Sequence, residues 1–530
     1  MSVTGVPKVN LGIPYKWIAL SNTTLGTLMA VINASSLIIA LPEIFRGIKL
    51  NPLDPSNFSY LLWVLIGYML VTAVVVVTLG RVGDVYGRVR MYNLGFIIFT
   101  VASIGLSLTW GTGSAGAIQI IVMRMVQAVG GAMLMANSAA ILTDAFPSNQ
   151  RGMALGINQI AAQAGSFIGL FVGGLLAAVH WRWVFLINVP IGIIGTVWGL
   201  LALRELGERH PAHIDLPGNI TFAAGLAMLL VGITYGIHPY GNSSMGWTNP
   251  FVIGMIVAGI ALLVAFVFIE LHVPDPMFNI HLFKIRAFTA GNFAGLISAI
   301  GRGGLQFLLI MWLQGIWLPM HGYSFQQTPL WAGIYLLPMS AGFILAGPIS
   351  GALSDRFGAR PFATGGMVLA AGTFLALMTL PADFSYPVFA TIIFINGIAF
   401  GLFASPNTAA IMNSVPAGYR GVASGMRSTF QNTGMPLSIG IFFTFMILGL
   451  TTAVPPAMYA GLTAHGVGSA TAQQLAQMPP VGYLFAALLG FNPLESLLGP
   501  QVLGSLPPAD AATLTSSQFF PQLIGGPFHD

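Results

Sequence analysis

Thirteen long apolar stretches run along this chain, and nothing else in the sequence constrains its fold as strongly. They lie near residues 17–41, 60–79, 91–110, 117–143, 152–179, 183–203, 217–237, 250–269, 288–318, 331–353, 362–380, 386–412 and 425–450. Each comes near or above the roughly 20 helical residues needed to cross a hydrocarbon core of about 30 Å. In lipid every backbone N–H and C=O must find a partner inside the protein, so each stretch is expected as a helix. Charge supports the reading: only 6% of the 530 residues are charged, against about a quarter in soluble domains. A soluble enzyme, a nucleic-acid module and a disordered chain are excluded on that ground. Cysteine is absent, which removes disulfides and thiolate metal sites. The 65 glycines suit close packing of membrane helices.

Basic residues give the orientation. With the N-terminus inside, cytoplasmic segments hold fourteen of the 19 Lys and Arg, external loops hold Arg46, Lys49 and Arg182, and Arg124 and Arg302 fall inside spans. That asymmetry follows the positive-inside rule. Trp63, Trp110, Trp181, Trp183, Trp247, Trp317 and Trp331 are then expected at the outer interface. The first apolar stretch is too long for a signal-peptide core and reads as an uncleaved span. Residues 451–530 contain no Lys or Arg and are expected outside, C-terminus included. Their main apolar patch, residues 481–491, is about 16 Å as a helix, so it is expected to lie at the interface or dip in.

The chain repeats itself. Gly80-Arg-Val-Gly-Asp84-Val-Tyr-Gly87-Arg88-Val-Arg90 follows the second span, and Gly351-Ala-Leu-Ser-Asp355-Arg-Phe-Gly358-Ala-Arg360 follows the tenth. Both are expected as short cytoplasmic loops, with glycine allowing a tight turn and the Arg pairing with the Asp or with lipid phosphate. Two such loops at matching positions mark an internal repeat of six-helix units, with the seventh and eighth spans inserted between them.

With these loops the sequence resembles the major facilitator superfamily, specifically its fourteen-helix drug:proton antiporter branch. The loops match that family's motif A. Arg124-Met-Val-Gln127-Ala-Val-Gly130-Gly131-Ala132 is similar to motif B, and Trp181 to Gly192 is similar to a signature entering the sixth span. The resemblance implies an all-α polytopic protein of two six-helix bundles around a cavity that opens alternately to each side. The expected units are 1–203 (first bundle), 204–287 (inserted pair), 288–450 (second bundle, five spans) and 451–530 (external tail). It also implies secondary transport, with efflux of amphipathic organic compounds in exchange for protons across the cell (inner) membrane. The alternative is a facilitator or a lipid or organic-anion exporter not coupled through the first helix. Three departures stand out. The first helix carries Asn33 where the family usually has an acid. Gly165-Ser-Phe-Ile-Gly169-Leu170-Phe-Val-Gly173-Gly174 has Leu170 where motif C has proline. Relatives also continue into a final helix, which is expected to be missing here.

Elimination narrows the chemistry. Lys8, Lys16, Lys49 and Lys284 are the only lysines and none follows glycine, so no Walker A loop is present. No nucleophile–base pair or metal triad is evident, and the loop cluster Glu270, His272, Asp275 and His281 fits no regular metal spacing. The expectation is a non-enzyme without a cofactor or resident metal, whose partners are a small-molecule substrate, lipid and, by family, protons, and not nucleic acid. None of the acids or histidines falls near a span centre; Asp144, at the end of the fourth span beside Arg151, is the remaining proton-carrier candidate. Arg302 lies near the middle of its span, too deep to snorkel, and must face protein or a wet cavity. Arg124 lies about 10 Å inside, within partial snorkelling range. Gln127, Gln306 and Asn33 complete the cavity and coupling candidates. Gly165, Gly169 and Gly173, with Gly174, form a stripe suited to close helix packing.

Overall fold

The computed structural model describes residues 12–50, 57–147, 150–206, 215–237, 240–241, 243, 245–274, 276, 278–324, 327–416, 420–477, 492–516 and 518–529. Among them thirteen helices are long and apolar enough to cross a membrane, matching the count expected from hydropathy, and the extended backbone amounts to one isolated bridge, Tyr240–Ser243. The first bundle comprises α1 (Tyr15–Gly47), α2 (Phe58–Tyr86), α3 (Arg88–Ser107), α4 (Gly113–Ala145), α5 (Arg151–Val179) and a broken sixth span, α6 (Trp183–Leu186) plus α7 (Asn188–Ala202). The inserted pair is α8 (Leu216–Gly236) and α9 (Pro250–Glu270). The second bundle begins with α10 (Arg286–Trp312), which runs through a π-turn, Leu313–Trp317, into α11 (Leu318–Met320). It continues with α12 (Thr328–Tyr335), α13 (Leu337–Phe357), α14 (Ala359–Met378), α15 (Tyr386–Ser414) and α16 (Arg420–Ala464). The face bearing Arg88, Arg204 and Arg360 is called the basic face below.

Repeat-related joints have the same geometry. Gly87 and Gly358 each form a one-residue joint between long helices, at φ 113° and 84°, a region that side chains with a Cβ rarely enter. The motif therefore occupies a helix end and a single hinge residue, because α2 continues to Tyr86 and α13 to Phe357, where loops were expected.

The sixth span shows what close packing requires. Gly192, Gly195 and Gly199 on α7 lie directly against Thr100, Phe96 and Asn93 on α3. The repeat-related positions on α14 are open: Thr364 and Ala371 are exposed and Met367 is half-buried. No helix packs on that face of α14 among the described residues.

Two expectations change. The α16 helix does not stop near residue 450 but runs to Ala464, about 68 Å in all, through Pro455 and Pro456. Packing carries it across the prolines: Val454, Met458 and Leu462, one buried face at i, i+4, i+8, belong to the same apolar core as Phe519, Phe520 and Ile524. The tail thus packs as helices α17 (Ser469–Ala476), α18 (Pro493–Ser505), α19 (Pro508–Thr515) and α20 (Phe519–His529). Leu523 seats on Gly461, and Phe528 meets Trp312 with ring centroids 6.5 Å apart. These contacts hold α20 on the face opposite the basic one; the apolar patch 481–491 lies outside the described residues. The tryptophan belt is the second change. Trp110 and Trp183 are exposed, but Trp181 and Trp317 are buried within the protein. Trp181 packs on Gly47, and Trp317 stacks on Phe384 at 5.0 Å and donates to its carbonyl.

Candidate functional site

Arg302, two-thirds of the way along α10, stands on the wall of a small recess of about 20 Å³. The second bundle contributes Arg302, Gln306, Met339, Ser340, Phe343, Asn396, Gly397 and Phe400, and the first contributes Ser166 from α5. The guanidinium lies 5.1 Å from the centre of the Phe343 ring, in the range of a cation–π contact. Asn396 donates to Thr373 Oγ1 at 2.8 Å, while its Oδ1 is buried without a partner. The recess therefore combines a cation, neutral hydrogen-bonding groups and aromatic walls, and none of its described lining residues is acidic. Arg302 and Gln306, expected as cavity residues, both line this recess, together with Ser340 and Asn396 from other helices, of which the sequence gave no sign.

Arg124 has a different setting. It is 1% exposed and does not snorkel. Its guanidinium lies 4.3 Å from the centre of the Tyr68 ring and donates to Gln127 Oε1 at 2.9 Å, the i, i+3 spacing placing both on one face of α4. Gln127 Nε2 donates to Ser103, and Asn33 Nδ2 donates to Gln127 Oε1 at 3.0 Å. Asn188 Nδ2 donates to Asn33 Oδ1 at 3.3 Å. One buried network thus ties together α1, α2, α3, α4 and α7. Asn33, expected as a stand-in for a coupling acid, is a knot in this network.

The bundles meet on the side away from the basic face. A Cβ on Gly174 would come 2.7 Å from Leu330 Cα, and one on Gly333 would come 3.2 Å from the Leu170 carbonyl. Below this seam α5 continues past Ser166, so the recess sits at the closed end of the contact between bundles.

The sequence profile of the Major Facilitator Superfamily matches residues 23–221 and 215–439. The chain belongs to the Major Facilitator Superfamily. It is 30% identical over 442 residues to the riboflavin transporter RibZ of Clostridioides difficile (strain 630), spanning 82% of this chain and 89% of that protein. It is 28% identical to the multidrug transporter protein MdtP of Bacillus subtilis (strain 168), over 86% of this chain and 80% of the other. It is 27% identical to the tetracenomycin C resistance and export protein of Streptomyces glaucescens, over 81% and 76%. Among solved structures, a bacterial homolog of the human lysosomal transporter Spinster, inward-facing and unoccupied, superposes with TM-score 0.52 at 17% identity over 97% and 98% of the two chains. A D-xylose-proton symporter gives 0.53 at 14% identity, over 89% and 97%. The protein is a multi-pass membrane transporter of this superfamily, handling a small-molecule substrate within the bilayer.

The superfamily motifs resolve into specific contacts. Arg88 Nη1 reaches both carboxylate oxygens of Asp144 at 2.7 Å, so its partner is across the bundle, on α4. Asp144, expected beside Arg151, pairs with Arg88, which the α2–α3 joint brings over the end of α4. Glu205 accepts from the backbone N–H groups of Arg88 and Val89, placing a carboxylate at the positive end of α3. Arg90 and Arg360 are exposed, and the side chains of Asp84, Asp355 and Arg151 lie outside the description. Gly80 approaches Ala136 and Gly351 approaches Ser405, so both serve helix contact. The glycine stripe is likewise packing: Gly165, Gly169 and Gly173 face Leu28, Ser35 and Ser36 of α1. Gly174 alone turns toward the other bundle.

Arg427, counted by its sequence position among cytoplasmic residues, is a finding of the structure. It lies one and a half turns or more inside α16 and donates to Gln431 Oε1 at 2.8 Å and Thr408 Oγ1 at 3.4 Å. It sits two residues inside the apolar stretch 425–450, near enough to the span end to have been grouped with the cytoplasmic residues.

Proposed function

We propose that the protein exports amphipathic organic compounds from the cell across its inner membrane by alternating access. The basic face is cytoplasmic and the packed C-terminal helices are external. The recess carries this reading: it takes residues from both bundles and lies under the seam at Gly174–Leu330, so rocking the bundles apart there would open it to that side. Aromatic and polar walls suit a guest that is apolar along its body and polar at one end. The superfamily resemblance adds proton exchange as the energy source, and the relatives with export and multidrug names agree with the direction.

Reconstitution of the full chain into liposomes, with a panel of fluorescent amphiphiles and an imposed pH gradient, tests the reading. Saturable dye movement that stops when the seam is locked is expected. Leak indistinguishable from empty liposomes would reject it. The placement of Asn33 in a sealed amide network favours coupling that does not run through the first helix.

A further inference from the structure

Both bundles build the same chain of hydrogen bonds and use its far end differently. In the first, Gln127 Nε2 on α4 donates to Ser103 Oγ on α3 at 2.8 Å, and that hydroxyl donates to the Phe99 carbonyl. In the second, Asn396 Nδ2 on α15 donates to Thr373 Oγ1 on α14 at 2.8 Å, and Thr373 donates to the Ala370 carbonyl at 2.7 Å. These helices hold repeat-related places, and amide and hydroxyl stand 24 residues apart in one bundle and 23 in the other. A hydroxyl that gives its hydrogen to a backbone carbonyl has only lone pairs left for the amide. The N–H end of each amide is therefore fixed on the hydroxyl, and the oxygen points the other way. In the first bundle that oxygen, Gln127 Oε1, receives Arg124 and Asn33. In the second, Asn396 is fully buried and its Oδ1 has no hydrogen-bond partner among the described residues.

Asn396 also belongs to the recess wall, beside Gly397 on its own helix, Met339 and Ser340 of α13 and Gln306 of α10. Gly397 lets α15 lie against the Met339 carbonyl, so backbone contact between two helices sets this part of the wall. The volume of about 20 Å³ suits one water-sized group, which needs about 10–15 Å³. We propose that Asn396 is a specificity-determining residue of the transport site, whose Oδ1 accepts a hydrogen bond from a hydroxyl or N–H at the polar end of the guest. Thr373 is its positioning residue. The proposal rests on the export reading above and adds to it the hydrogen-bonding class of the guest. The recess takes the donor group alone, and the apolar body stays outside it. A guest carrying a donor pairs the buried oxygen; the same guest with that donor methylated leaves it unpaired and brings a methyl group that the recess has no room for.

Two neutral probes separate these cases: the N-methyl dansyl amide of ethanolamine, which ends in a hydroxyl, and its O-methyl ether. Transport of each is measured in liposomes holding the full-length chain, above the rate in empty liposomes. The alcohol is expected to show a KM at least about tenfold lower than the ether. Asn396→Leu should erase that preference by raising the KM of the alcohol, with the maximal rate for the ether kept. Thr373→Val should reduce the preference by releasing the amide, and Thr373→Ser should retain it, which a purely structural role for Thr373 would not produce. Equal KM values for the two probes in the wild type, or a preference that survives Asn396→Leu, would overturn the proposal while leaving export intact. If neither probe moves faster than in empty liposomes with a folded, monodisperse protein, the export reading fails and the proposal with it. Should Asn396→Leu not fold, the wild-type ratio and the two Thr373 variants decide.

Discussion

Each bundle holds an arginine deep within a span, and the two arginines have opposite surroundings. Arg124 in the first bundle is shut between Tyr68 and Gln127, with Asn33, Ser103 and Asn188 completing a closed network. Arg302 in the second stands on the wall of a recess with Phe343 beside it and Ser166 from the other bundle across it. A cation in a membrane helix can thus brace or bind, and its depth in the span does not say which. The neighbours supplied by other helices decide. In the first bundle they are neutral side chains that link Arg124 to four other helices; in the second they line a small recess.

The largest expected effect would break this contrast outright. Arg124→Ala leaves a void beside Tyr68 and frees Gln127, and it should destabilise the folded protein by about 3 kcal/mol. Arg302→Ala removes a side chain on the recess wall, so it should destabilise the protein less than Arg124→Ala does while stopping transport. Thermal unfolding in detergent alongside liposome flux gives both readings. Equal destabilisation by the two substitutions would mean that Arg302 is also a brace.

Depth was legible in the sequence and partnership was not. Hydropathy and basic-residue asymmetry mark the spans because lipid imposes a length and a polarity on every one of them. The two Gly-x-x-x-Asp loops mark the repeat because a one-residue joint needs glycine at Gly87 and Gly358. Arg302 was recognisable because no interface lies within its reach. By contrast, Arg88 finding Asp144, or Asn33 finding Gln127, depends on which helix lies alongside, and local sequence carries no record of that. The same holds for α16, whose continuation beyond residue 450 depends on the tail helices packed against the Val454, Met458 and Leu462 face.

A smaller effect separates the seam from the interior of a bundle. Gly173 and Gly174 are adjacent, but Gly173 abuts Ser36 within the first bundle and Gly174 abuts Leu330 of the second. Gly173→Val should therefore destabilise the protein by about 1–3 kcal/mol through overpacking. Gly174→Val should be relieved by parting the bundles, keeping the fold and shifting the protein toward the opposite opening. The natural absence of cysteine makes the test direct. A Ser166→Cys reporter should become reachable from the side away from the basic face in the Gly174→Val background and not in the Gly173→Val background. Equal labelling in both would place the seam elsewhere.

The smallest effect concerns the ion pair on the basic face. Arg88 and Asp144 are both partly solvent-exposed, with side chains 27% and 23% accessible, so screening leaves the pair worth only about 0.5 kcal/mol. A double-mutant cycle of Arg88→Gln and Asp144→Asn should return a coupling of that size, far below the cost of opening the Arg124 network. Its value lies in the second readout. Asp144 is the one acid that sequence position offered as a proton carrier, and the structure ties it to Arg88 at the end of α4, away from the recess. Asp144→Asn should thus slow transport no more than Arg88→Gln does and leave the pH dependence of flux unchanged. If Asp144→Asn alone abolished a pH response that Arg88→Gln preserved, the carboxylate would be carrying protons, and the division between a bracing first bundle and a binding second bundle would have to give way to coupling across both.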